Sequence, residues 1–162
     1  MKKWTQRIIV LLVIISLLPM QVFAKSETPD IVFMTEEEAQ YYANLYFPSE
    51  TSLNSEGTLA NTNLGIFESE GRILVIYSTS ASGDPSELGI KQIMLEEKDG
   101  LSWNVLAKYD KMSTTDSNIY TGGFYFLAPV SGKTYKASGI HFAVIDGREI
   151  TKYANTGGFI FP

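Results

Sequence analysis

The segment Gly71-Arg-Ile-Leu-Val-Ile-Tyr-Ser-Thr-Ser80 decides the fold class. It is apolar and β-branched through its middle, with no alternation between a wet and a dry side. A strand that carries apolar groups on both faces needs cover on both. The segment from Arg72 to Ser80 therefore reads as a central strand under cover.

Working outward, the chain beyond Leu53 keeps a period of two, and glycine, asparagine, serine and aspartate mark the breaks. Ser82-Gly-Asp-Pro-Ser86 reads as a loop. Leu88–Glu97 and Trp103–Tyr109 flank Lys98-Asp99-Gly100-Leu101, a hairpin signal, with Trp103, Val105, Ala107 and Tyr109 expected on one face. A polar loop is expected from Lys111 to Asn118 and a strand from Ile119 to Leu127. A turn at Pro129–Gly132 then leads into a long strand, Thr134–Ile145. The chain reverses at Asp146-Gly147 into a last strand that reaches Phe161. About seven short strands at this spacing predict a mostly β, antiparallel two-sheet sandwich over residues 53–162, not a parallel α/β fold.

Before the sandwich, Thr35-Glu36-Glu37-Glu38 offers a capping box, with Thr35 and Glu38 able to satisfy each other's backbone N–H. Three carboxylates also suit the positive end of a helix. Ala39, Tyr42, Ala43 and Tyr46 follow at one-face spacing, so a short amphipathic helix is predicted over about residues 36–46, ending before Pro48. Residues 25–52 thus divide into a flexible polar start and this helix. Residues 1–24 read as a cleaved signal helix: Lys2, Lys3 and Arg7, an uncharged run from Ile8 to Leu18, then Val22-Phe23-Ala24 as the exit. That run is about half of what a membrane span needs. A secreted, extracellular product beginning at Lys25, with no membrane contact after cleavage, is the expectation.

The 162-residue chain has no cysteine, so a lipid anchor at the cut and disulfide staples are both ruled out and stability must come from core burial. Loss of the three leader cations takes the formal charge from −5 to −8. An acidic surface repels phosphate backbones, which argues against a nucleic-acid partner.

A nucleophile needs a base within reach, and His141 is the one histidine. With Ile140, Phe142 and Val144 expected to alternate inward, His141 is expected to face the other way. One histidine without cysteine cannot build a zinc site. Glu96 and Glu97 are adjacent on a strand and should point to opposite faces. Glu68 and Glu70 flank a glycine turn, and Glu36 to Glu38 have a capping role. Asp110 and Asp116 bracket a polar loop but lack the alternating oxygens of an EF-hand. No catalytic, cofactor or metal residues are assigned, and no cofactor is expected. Nine tyrosines and Trp103 could line a binding face, but cross-strand packing is the favoured reading. Thr121-Gly-Gly-Phe-Tyr-Phe126 recurs as Thr156-Gly-Gly-Phe-Ile-Phe161. Such glycine pairs are expected to mark bulges or edges, and less often a partner contact.

The corner from Pro129 to Gly132, followed by Tyr135 and Ala137, is similar to the tyrosine corner of immunoglobulin and fibronectin type III domains. In that family the tyrosine hydroxyl bonds back to the corner backbone. Gly71-Arg-Ile-Leu-Val with Ser78-Thr-Ser-Ala81, Ser102-Trp103-Asn-Val105, and Tyr135-Lys-Ala-Ser-Gly-Ile-His141 resemble an uncharacterised family of short secreted proteins of Gram-positive bacteria, a domain of unknown function. The resemblance covers roughly Leu64 to Phe161 and implies export and a β-sandwich, but no activity. The functional expectation is a non-enzymatic extracellular binding or interaction module for an unknown protein or glycan. The alternatives are a small hydrolase using carboxylates from distant strands, and a structural or self-assembling protein.

Overall fold

The computed structural model describes residues 30–47 and 57–162. The signal helix over residues 1–24, the polar stretch 25–29, Pro48 and the sandwich start at Leu53 lie outside the described residues. The elements are β1 (Ile31–Phe33), α1 (Glu36–Tyr46), β2 (Leu59–Ser69), β3 (Arg72–Ala81), β4 (Glu87–Asp99), β5 (Ser102–Thr114), β6 (Ile119–Phe126), β7 (Thr134–Ile145), β8 (Arg148–Asn155) and β9 (Phe159–Ile160). They form two antiparallel sheets, β1-β6-β3-β2 and β5-β4-β7-β8, with β9 also pairing with β7.

The sheets face each other across one apolar layer. Ile73, Val75, Tyr77 and Phe124 from the first sheet meet Ile90, Ile93, Leu95 and Tyr135 from the second. Each such side chain contributes about 1.5–3 kcal/mol when fully buried. β3 is central and covered on both sides, as the opening segment requires. Its other face, Leu74 and Ile76, lies under α1 against Ala43 and Tyr125. The helix is therefore the cover that the two-sided apolar strand demands.

α1 begins as its capping box dictates: the Glu38 N–H donates to the Thr35 hydroxyl at 3.2 Å and the Thr35 N–H donates to the Glu38 carboxylate at 3.0 Å. Ala39 and Ala43 are buried, and the Tyr46 ring stacks on Phe67 at 3.8 Å. Two hairpins turn on Glu70-Gly71 and Asp146-Gly147, both residues of each pair at positive φ, the mirror-image turn that matches strand twist. The tyrosine corner forms: the Val130 N–H donates to the Tyr135 hydroxyl at 2.8 Å.

The structure corrects four expectations. β5 runs on to Thr114, so the polar loop shrinks to residues 115–118. Within β5 the pairing skips Leu106, passing from Leu95↔Ala107 to Glu96↔Val105. One extra residue flips the alternation, so Ala107 and Tyr109 pack inward while Val105 is 54% exposed and Trp103 lies outside under Lys136. The last strand breaks at Thr156–Gly158, where Gly157 has φ 72°, giving β8 and β9. The phase of β7 is the reverse of that expected: Tyr135, Ala137 and His141 face the other sheet, and Phe142 lies on the outer face beneath the Lys91 and Lys111 ammonium groups.

The glycine pairs are not equivalent either. Gly122 and Gly123 sit in unbroken register with Tyr77 and Ile76, so there is no bulge. A methyl group on Gly122 would meet the Tyr77 hydroxyl at 2.5 Å, and one on Gly123 would meet the Val75 carbonyl at 2.6 Å. Close packing within the molecule sets both, at the place where β1 leaves the side of β6.

Candidate binding cleft

His141 lies wholly buried between the sheets. Its Nδ1 is 2.6 Å from the Thr79 hydroxyl, which donates its one proton to the Gly89 carbonyl at 3.1 Å. Proton counting therefore assigns the hydrogen to Nδ1, leaving Nε2 as a bare acceptor. Nε2 has no partner, and neither has the nearby strand neighbour's Thr62 hydroxyl; Thr62 pairs with Thr79 across β2 and β3. Burial, with the Lys152 charge, pushes the imidazole down to about 4. Among the described residues Thr79 is its hydrogen-bond partner, and the ring is held as a buried structural group.

The acids are dispersed. Glu96 and Glu97 do point apart, toward Lys136 at 3.3 Å and Lys133 at 3.1 Å. Glu68 accepts from the Gly71 N–H, and Glu70 pairs with Arg72 at 2.6 Å. Glu87, held between Lys111 and the Ser113 hydroxyl, is lowered by those two bonds. Asp116 shares a loop pocket with Asp84, and Asp110 is not part of it. Among the described residues no group of three or more acids and histidines could hold a metal ion.

Most tyrosines pack inside. Tyr77, Tyr125 and Tyr135 are buried, Tyr109 joins Phe33 and Phe124, and Tyr42 and Tyr46 lie in the helix interface, while Tyr41 and Tyr153 are exposed on separate elements.

What the structure adds is a cleft of about 550 Å³, not foreseen from sequence, at the open side of the sandwich. Its walls are the β1–α1 junction, the end of β5 and the first half of β6. β1 pairs with β6 only at Phe124–Phe126, and the Met34 N–H donates to the Gly123 carbonyl at 3.0 Å before the chain turns into α1. Backbone groups alternate sides along a strand, so those of Thr121 point the same way as those of Gly123. They face the space that β1 has vacated. Inside, the Tyr77 hydroxyl donates to the Met112 sulfur at 3.1 Å and meets Tyr120, and burial raises both tyrosines above their ordinary range. Glu36 lies at the mouth, close enough to Tyr120 to raise it further. A second groove of about 450 Å³ beside α1 is lined by the amides and hydroxyls of Gln40, Asn44, Asn63, Ser78 and Ser80 with the Tyr46 and Phe47 rings.

Compared with known proteins, the chain matches no family model, no curated protein and no solved structure.

Proposed function

We propose that the protein is an exported, non-enzymatic binding module of immunoglobulin-like build, which meets an extracellular protein or glycan at the cleft between its sheets. The observation that carries this reading is the cleft itself. It falls within the usual 300–1,000 Å³ of ligand sites, with hydrogen-bonding groups on an apolar wall and a single carboxylate. A lone histidine sealed in the core and acids tied to lysines supply no reacting group there.

The immunoglobulin comparison is supported by strand order. β2-β3-β6-β1 occupies the places of strands A, B, E and D, and β4-β7-β8 those of C, F and G, with β5 beyond C. The Tyr135 corner falls at the start of the strand in the F position. β1 differs by coming first in the chain. Export and kinship with secreted Gram-positive proteins rest on the leader pattern and the motifs quoted above.

The test uses the chain recovered from culture medium, immobilised beside an Ile119→Lys variant. Wild type should retain a wall or supernatant component that the variant releases. Equal retention by both, or turnover of esterase, peptidase or glycosidase substrates that a single cleft substitution abolishes, defeats the reading. The uncharged groove beside α1 favours a neutral glycan as a second reading. Asn63→Ala, which lines that groove alone, would then weaken retention, whereas Thr114→Lys, which lines the cleft alone, would not.

A further inference from the structure

We infer that the cleft receives an extended, basic peptide as an added strand on β6, a deepening that rests on the reading of the cleft as the binding surface. The edge is built for pairing. Among the described residues the line of β1 is open beyond Gly123, and the Thr121 N–H and C=O and the Ile119 C=O face into it; the Ile119 N–H is taken by Ser117. Free groups in this arrangement are the template that strand addition uses.

Natural edges are usually guarded by charges, prolines or bulges. β5 carries a bulge with Lys108, Asp110 and Lys111, and β8 carries Arg148, Glu149 and Lys152. The open stretch Ile119-Tyr120-Thr121-Gly122 carries none of these, and Ile119 is 52% exposed. The β5 and β8 edges are guarded, and this stretch of β6 is bare.

The shape selects the occupant. The open line ends at Thr35–Glu36 on one side and at Ser117 on the other, room for about four extended residues at roughly 3.4 Å each. A second copy paired edge to edge would have to bring its own β1 and α1 into the same recess. A single strand enters alone. Glu36 lines the mouth, and among the described residues it has no ion pair and no lysine or arginine lines the cleft. One alternate side chain of the added strand points toward α1, where a lysine or arginine meets that carboxylate.

The test titrates the 15N-labelled full exported chain with four blocked hexapeptides. One alternates valine and lysine, two are its N-methylated forms (one for each alternate set of backbone nitrogens), and the fourth replaces lysine by glutamate. The valine–lysine peptide should shift the Ile119, Thr121 and Gly122 amides and slow Thr121 amide exchange at least tenfold at saturation. One methylated form should lose at least tenfold in affinity, with the other unchanged, and the glutamate peptide should bind at least tenfold more weakly. Ile119→Lys should remove binding without lowering the melting temperature. Equal binding of both methylated forms, or Thr121 exchange unchanged at saturation, overturns strand addition while leaving the cleft a binding surface. Equal binding of the glutamate peptide overturns the basic requirement. Absence of any cleft shift with all four removes the inference together with the reading beneath it.

Discussion

His141 couples the core to acidity. Folded, its imidazole titrates near 4, because burial and Lys152 oppose the charge and Nε2–H would find no acceptor. Unfolded, it titrates near 6.5. A base depressed by folding binds its proton more readily in the unfolded chain, so its full contribution holds above 6.5 and is lost as pH falls toward 4. The difference is worth about 3 kcal/mol. Urea midpoints should fall across that window in wild type, and a His141→Gln variant should show a smaller fall. Equal slopes in both would remove the argument. Tyr135 acts through geometry alone. Tyr135→Phe leaves the Val130 N–H without its 2.8 Å acceptor and should lower unfolding stability by about 1 kcal/mol, measured by denaturant titration at neutral pH.

At the scale of elements, α1 depends on its first turn more than on its last, which has no basic residue against the carbonyl end. Thr35→Ala removes the hydroxyl that accepts from the Glu38 N–H, leaves the backbone N–H at position 35 to the Glu38 carboxylate, and should cost about 1 kcal/mol. Hydrogen exchange should localise the loss to residues 36–40 first; uniform acceleration through β3 would contradict this. The box was readable because its two partners lie three residues apart. The bulge at Leu106 was not, because an extra residue in one strand is defined only by the register of its partner, β4. The break at Thr156–Gly158 has the same origin, since it is the pairing with β7 that ends β8 and starts β9.

Among the described residues, the helix and the two sheets make three layers, with the outer face of the second sheet turned to solvent. That face is dressed in crossed pairs such as Lys91–Glu149 at 2.6 Å, with Lys136 over the Trp103 ring. Exposed pairs of this kind contribute little each, typically 0–1 kcal/mol. The helix layer matters more. Ala43→Glu would place a carboxylate against Leu74, Ile76 and Tyr125, and should destabilise by about 2–4 kcal/mol, whereas Asn44→Glu, one residue on and exposed, should stay within roughly 0.5. Thermal unfolding of the two variants decides it; equal midpoints would mean that α1 does not cover the sheet in solution.

Local chemistry determined what sequence could reveal: the helix cap, the two-sided strand at Ile73–Tyr77, the Asp146-Gly147 turn and the Tyr135 corner each depend on residues a few positions apart. The tertiary structure decided what depends on partners. In β7 the larger set, Ile140, Phe142 and Val144, looked like the inward one, yet a pleat has two faces of equal geometry, and the opposing sheet chose the side with Tyr135 and Ala137. Lys91 and Lys111, distant in sequence, then covered Phe142. The cleft had no local signal at all, because it exists where β1 stops short of β6, and that gap is a property of the pairing.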